Sequence, residues 1–105
     1  MKTKLYYHAT PFSNLNSIAE LGIEPRNVEK LVYLCETAQD CLKFALMHGC
    51  RDVLVLECSL PVKEIEETFD HSEAFFKCRC WGISRTIKQS EIKKFYHYEF
   101  DGGEK

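Results

Sequence analysis

The residues of this chain whose types and spacing best suit a bound ligand are His8-Ala9-Thr10 and, further on, Tyr33. An imidazole donates and accepts hydrogen bonds at once, and at the end of a strand the backbone beside it becomes available to a ligand. A small residue after the histidine, Ala9, lets a ligand approach that backbone. Tyr33 offers a flat aromatic face on which a ring can stack. Arg26, Arg79 and Arg85 suit phosphate, because a guanidinium forks onto its oxygens. Each has a plainer alternative. A tyrosine in a short apolar run serves a core, His8 can satisfy a neighbouring loop, Thr10-Pro11 is a turn, and the arginines are surface charges.

Six cysteines, Cys35, Cys41, Cys50, Cys58, Cys78 and Cys80, form no CxxC, and several fall in runs that read as buried helix or strand. They read as small core hydrophobes. Cys78-x-Cys80 would put both sulfurs on one face of a strand with His71 upstream, but a metal site needs two more ligands than this set supplies.

These residues must be positioned by local elements. Lys4–His8 is aromatic-rich and ends at Ala9-Thr10-Pro11, so it predicts a first strand. Ser13 or Asn14 can cap a two-turn helix through Leu15, Ile18 and Ala19, which Gly22-Ile23 ends in the manner of a Schellman motif. A polar loop, Glu24–Lys30, leads to a short strand at Leu31–Cys35. Thr37 caps a second helix with Asp40 in its first turn, and Gly49 closes it. Val53–Cys58 is an apolar run with one glutamate, as suits a central strand buried on both faces. Pro61–Glu67 predicts one or two helical turns, 68–76 a loop, 77–83 a strand with a bulge at Gly82, and Lys94–Phe100 an alternating last strand. Residues 101–105 are a polar tail. The order is α+β, because the strands do not alternate strictly with helices.

Composition narrows the classes further. The chain has 105 residues, 45% hydrophobic and 29% charged, which predicts one folded domain over 1–105. A formal net charge of -2 with interspersed signs gives no case for duplex nucleic acid or an anionic membrane. No apolar run approaches the ~20 residues of a membrane span, and the N-terminus has no apolar leader, so a cytoplasmic protein is expected. GxGxxG, GxxxxGK[ST], HExxH and GxSxG are all missing from the sequence.

His8-Ala9-Thr10 followed by Leu15-x-x-Ile18-x-x-x-Gly22-Ile23, then a Tyr33-bearing strand, a helix and an apolar strand, resembles the ADP-ribosyltransferase superfamily, including RNA 2′-phosphotransferase-like and related small phage and bacterial proteins. The resemblance covers residues 4–60 well and the remainder loosely. It implies a compact α+β fold of two small mixed or antiparallel half-sheets with two main helices, and NAD in a cleft between the half-sheets. His8 would bond a ribose hydroxyl, the backbone at Ala9 would hold the nicotinamide amide, Thr10 would support His8, and Tyr33 would stack on the nicotinamide. Arg26, Arg79 and Arg85 would take phosphates.

The departure is at the catalytic glutamate. Ile87-x-Gln89 resembles the family's late strand, and counting back from it leads to Arg79–Trp81, which holds no acid. Glu73 and Glu91 are the nearby candidates. The resulting expectation is an NAD-binding protein that transfers ADP-ribose to an unknown acceptor. The alternative is a non-catalytic module that binds a nucleotide or a protein and has lost the acid, and a plain α+β domain that pairs through its aromatic last strand is the third reading.

Overall fold

A computed structural model describes residues 2–25, 30–47, 49–68 and 80–100. Its elements in chain order are β1 (Thr3–Pro11), α1 (Leu15–Leu21), β2 (Val32–Leu34), α2 (Ala38–Met47), β3 (Asp52–Pro61), β4 (Glu66–Thr68), β5 (Cys80–Ile83) and β6 (Ile92–Glu99), with single 3₁₀ turns at Phe12–Asn14, Val62–Glu64 and Gln89–Glu91. The strands form two antiparallel three-stranded sheets, ordered β1-β3-β6 and β2-β5-β4. The α+β class with two small half-sheets and two helices is thus what the chain adopts.

β3 explains most of the core. Val53, Leu54, Val55, Leu56, Cys58 and Leu60 are buried on both faces of the central strand. One face packs with Tyr6 against Val32, Leu34 and Ile83 of the second sheet, together with Ile18, Ile23 and Ile87. The other face carries the smaller cluster of Val53, Val55 and Ala45, flanked by Tyr7, Ala9, Tyr96 and Tyr98, under α2. A continuous apolar run was the right signature for this strand, because helices or sheets cover both of its sides.

Among the described residues the two sheets are joined by one backbone pair. Tyr7 N–H donates to Cys35 O at 2.9 Å, and Cys35 N–H donates to Tyr7 O at 2.8 Å. A second isolated bridge, Ile23 with Ile87, ties the chain after α1 to the segment before β6. Gly22 makes that bridge feasible. Its φ is +79°, and an added Cβ would lie 2.3 Å from Ile87 O.

Several expectations change in detail. Gly22 N–H bonds Ile18 O at 2.8 Å as a helix terminator should, yet its ψ of -168° is extended, so Ile23 runs into the bridge and no Schellman wrap forms. Gly82 pairs in register with Tyr33 and with Glu66, and the register irregularity lies at Glu57/Cys58, where β3 meets β6. Ile87-x-Gln89 is no strand: Ile87 makes the lone bridge, and Gln89 opens a 3₁₀ turn. The Pro61–Glu67 helix is one 3₁₀ turn followed by β4. Thr37 does cap α2, its Oγ1 accepting from Asp40 N–H at 3.1 Å. Among the described residues no helix is long and apolar enough to cross a membrane.

Candidate functional site

β1 is the element that positions His8. Antiparallel alternation turns Tyr6, His8 and Thr10 to the face that meets the second sheet, and Tyr7 and Ala9 to the α2 face. Among the described residues the backbone just after β2 pairs with β1 at Cys35, so Tyr33, two residues earlier, lies opposite the end of β1 without a backbone pair to it. Val32 and Leu34 are buried in the core, which leaves Tyr33 on the other face of its strand.

His8 and Tyr33 meet through one hydrogen bond. His8 Nδ1–H donates to the Tyr33 carbonyl at 2.8 Å, and because a carbonyl only accepts, the proton of the neutral ring sits on Nδ1. Nε2 is then the acceptor, and it has no hydrogen-bond partner among the described residues. Burial pushes the His8 pKa below its ordinary 6.5, against a smaller opposing effect of the Tyr33 bond. The imidazole is neutral at pH 7.

The ring separates two cavities. One, of about 110 Å³ and partly open, is lined by His8, Ala9, Tyr33, Leu34, Cys35, Cys41 and Phe44. Its lining is almost wholly apolar, and its size is near that of the cavity of about 150 Å³ that accepts a benzene ring. The second, of about 190 Å³, is about half polar, with Thr10, Asn14, Ser17 and Glu24 beside His8, and Ile18, Gly22 and Ile23 completing it. Asn14 Nδ2 donates to Thr10 Oγ1 at 2.7 Å, so Thr10 is tied to the turn before α1.

The backbone at Ala9 adds an edge. Tyr7 spends its N–H and C=O on Cys35, so the alternation of the ladder directs those of Ala9 to the same side, beyond the last backbone pair between β1 and β2. Ala9 lines the apolar cavity at that point.

The thiols in the wall are quiet ones. Cys41 Sγ donates to Tyr7 O at 2.9 Å, and its pKa is held well above the ordinary thiol value, first by hydrogen bonding with Cys35 and then by burial. Burial pushes the Cys58 thiol up to about 12. Cys35, Cys41, Cys50 and Cys58 form no disulfide, and Cys35, Cys41 and Cys58 are buried, as small core hydrophobes are.

The other candidates lie elsewhere. Arg85 Nη1 and Nη2 donate to the two carboxylate oxygens of Glu91, each at 2.9 Å, and Arg85 Nε donates to Glu64 at 2.6 Å. Glu91 also accepts from Lys88 N–H at 3.0 Å, and the Arg85 guanidinium holds its carboxyl below the usual range. Neither residue lines the His8 cavities, so Arg85 and Glu91 are brought to each other and not to His8 and Tyr33. Glu73, Arg26 and Arg79 fall outside the described residues, as do His71 and Cys78.

Sequence reasoning missed Cys35, Cys41 and Phe44 as one wall, and Asn14, Ser17 and Glu24 as the other. Helical spacing of Cys41 and Phe44 was visible, but which strand they would face was not. It also missed Glu66, which stands in one cross-strand row with Tyr33, Gly82 lying between them. Compared with protein-family models, with curated proteins and with solved structures, the chain matches none.

Proposed function

We propose that the chain binds NAD in the crevice between β1 and β2 and is an ADP-ribosyltransferase-like protein acting on an acceptor yet to be identified. The observation that carries this reading is the single hydrogen bond from His8 Nδ1–H to the Tyr33 carbonyl, with both residues lining one crevice. It leaves a neutral Nε2 to accept from a ribose hydroxyl. The apolar cavity beside it suits a nicotinamide ring against Tyr33, with the Ala9 N–H and C=O directed to the side where a carboxamide needs one acceptor and one donor. The half-polar cavity beyond His8 suits the sugar, and Thr10 and Asn14 supply hydroxyl and amide groups there. Transfer would break the nicotinamide–ribose bond, release nicotinamide and pass the ADP-ribosyl group to the acceptor's nucleophile. The carboxylate that the sheet register offers for steadying the cationic sugar is Glu66, across Gly82 from Tyr33.

A second reading, a nucleotide-binding module without transfer, is favoured by Glu91. Its carboxylate is committed to Arg85 and Lys88 and cannot serve the crevice.

The experiment measures NAD-dependent thermal stabilisation and nicotinamide release on the same protein. Stabilisation with release that Glu66→Gln abolishes supports transfer. Stabilisation without release supports the binding module. No stabilisation by NAD or ADP-ribose at millimolar concentration removes both.

A further inference from the structure

We propose that the first sheet binds a divalent transition-metal ion of the zinc class on Asp52, His97 and Glu99, at the end where β1 runs into Pro11 and on residues that do not line the crevice. Ligand atoms of these three side chains all lie within 4.8 Å of one another. The ladder puts them there: Asp52 is directly opposite Glu99 in the β3–β6 register, and His97, two residues before Glu99, shares its face.

His97 is aimed by its surroundings. Its ring stacks on Phe12, with centroids 3.7 Å apart and planes at 13°, and Nε2 lies 2.5 Å from Asp52 Oδ1. The ring cannot swing from the carboxylates without leaving Phe12.

The negative charge at this end is compensated only in part. Like charges directly opposite on neighbouring strands repel. Asp52 and Glu99 are such a pair, and among the described residues neither forms an ion pair with a lysine or arginine. Elsewhere in the molecule the converging carboxylates of Glu64 and Glu91 have Arg85 between them. At this end, among the described residues, Asp52 pairs with the His97 imidazole, and Glu99 stands beside it.

One imidazole nitrogen and two carboxylate oxygens form a donor set for zinc or a similar borderline ion, with a remaining position for water. Donors at about 2.0–2.2 Å from an ion stand roughly 3.5 Å apart, so the three side chains need close only slightly. All three are exposed and have room to do so. Ligation through Nε2 would replace its hydrogen bond to Asp52, any proton on that nitrogen passing to solvent.

Cysteines also take zinc, so the test is residue-resolved. ZnCl₂ is added to the full chain in chelator-free buffer while long-range ¹H–¹⁵N imidazole spectra follow His97, and the thermal midpoint is read in parallel. A saturable shift of His97 Nε2 at one equivalent is expected, with a rise in midpoint. Asp52→Asn and Glu99→Gln should each weaken it at least about tenfold, while Glu20→Gln on α1 leaves it unchanged. A His97 signal unmoved by zinc in the unsubstituted chain, or a shift that survives both carboxylate substitutions, overturns the site.

Discussion

Two regions of this chain gather polar side chains over an apolar sheet, and they are finished differently. At the β1/β2 crevice, groups are half used: His8 spends Nδ1–H on Tyr33 and keeps Nε2, while Tyr7 closes the ladder at Cys35 and Ala9 continues past it. At the Arg85 corner, groups are used up. Its guanidinium meets Glu64 and both oxygens of Glu91, and Glu91 takes the Lys88 N–H as well. The charged candidates among the described residues, Arg85 and Glu91, are therefore matched to each other, while the neutral His8 ring keeps one nitrogen for a ligand. Recognition depends on what local structure leaves unspent, and a list of residue types does not show that.

The comparison can be broken first at Gly22, where the two regions touch through the Ile23–Ile87 bridge. Gly22→Ala puts a Cβ against Ile87 O at a glycine-only backbone geometry, and should cost about 3 kcal/mol. Urea unfolding measures it; a loss under about 1 kcal/mol would show that the bridge yields easily.

Arg85→Ala comes next, because it leaves two carboxylates facing each other without a cation. Partial exposure keeps the cost below that of a fully buried pair, at about 2 kcal/mol, with any NAD-induced stabilisation retained. Loss of the NAD effect at unchanged fold would join the corner to the crevice after all. Glu91→Gln should cost about 1 kcal/mol in the same assay, since an amide keeps one acceptor for Arg85 or for Lys88 N–H.

The smallest effects are in pH. Glu91 is held below its ordinary 4.5, so its stabilisation is complete above that value and is lost as pH falls through the lowered one. His8 is held below 6.5, so the unfolded chain takes up its proton first, and stability declines as pH drops below 6.5 towards the native value. Unfolding curves from pH 7 down to about pH 2 should lose the upper part of this decline in His8→Asn and the part below 4.5 in Glu91→Gln. The opposite assignment would mean that the two environments are exchanged.

Much of the fold was legible because local signals and tertiary context agree. The apolar run at Val53–Cys58 names a strand covered on both faces, and Thr37 with Asp40 names the start of α2. His8 and Tyr33 were brought together by the family resemblance, each alone reading as core or loop. What was hidden depends on register between distant strands. Nothing near Glu66 announces that it pairs with Gly82, nor does any motif connect Asp52 with Glu99 across 46 positions of sequence. Glu91 shows the converse: a carboxylate close in sequence to a suggestive Ile87-x-Gln89 is turned by a 3₁₀ turn onto Arg85, because that turn presents it to Lys88 N–H and the guanidinium together.

Calorimetric titration of NAD into the intact chain, His8→Ala, Tyr33→Ala and Arg85→Ala reads the crevice most directly. The account predicts saturable binding that His8→Ala and Tyr33→Ala each weaken by at least about tenfold, the size of one lost polar or stacking contact, and that Arg85→Ala leaves intact. Equal NAD affinity in all four proteins, or none in the intact chain, would contradict it.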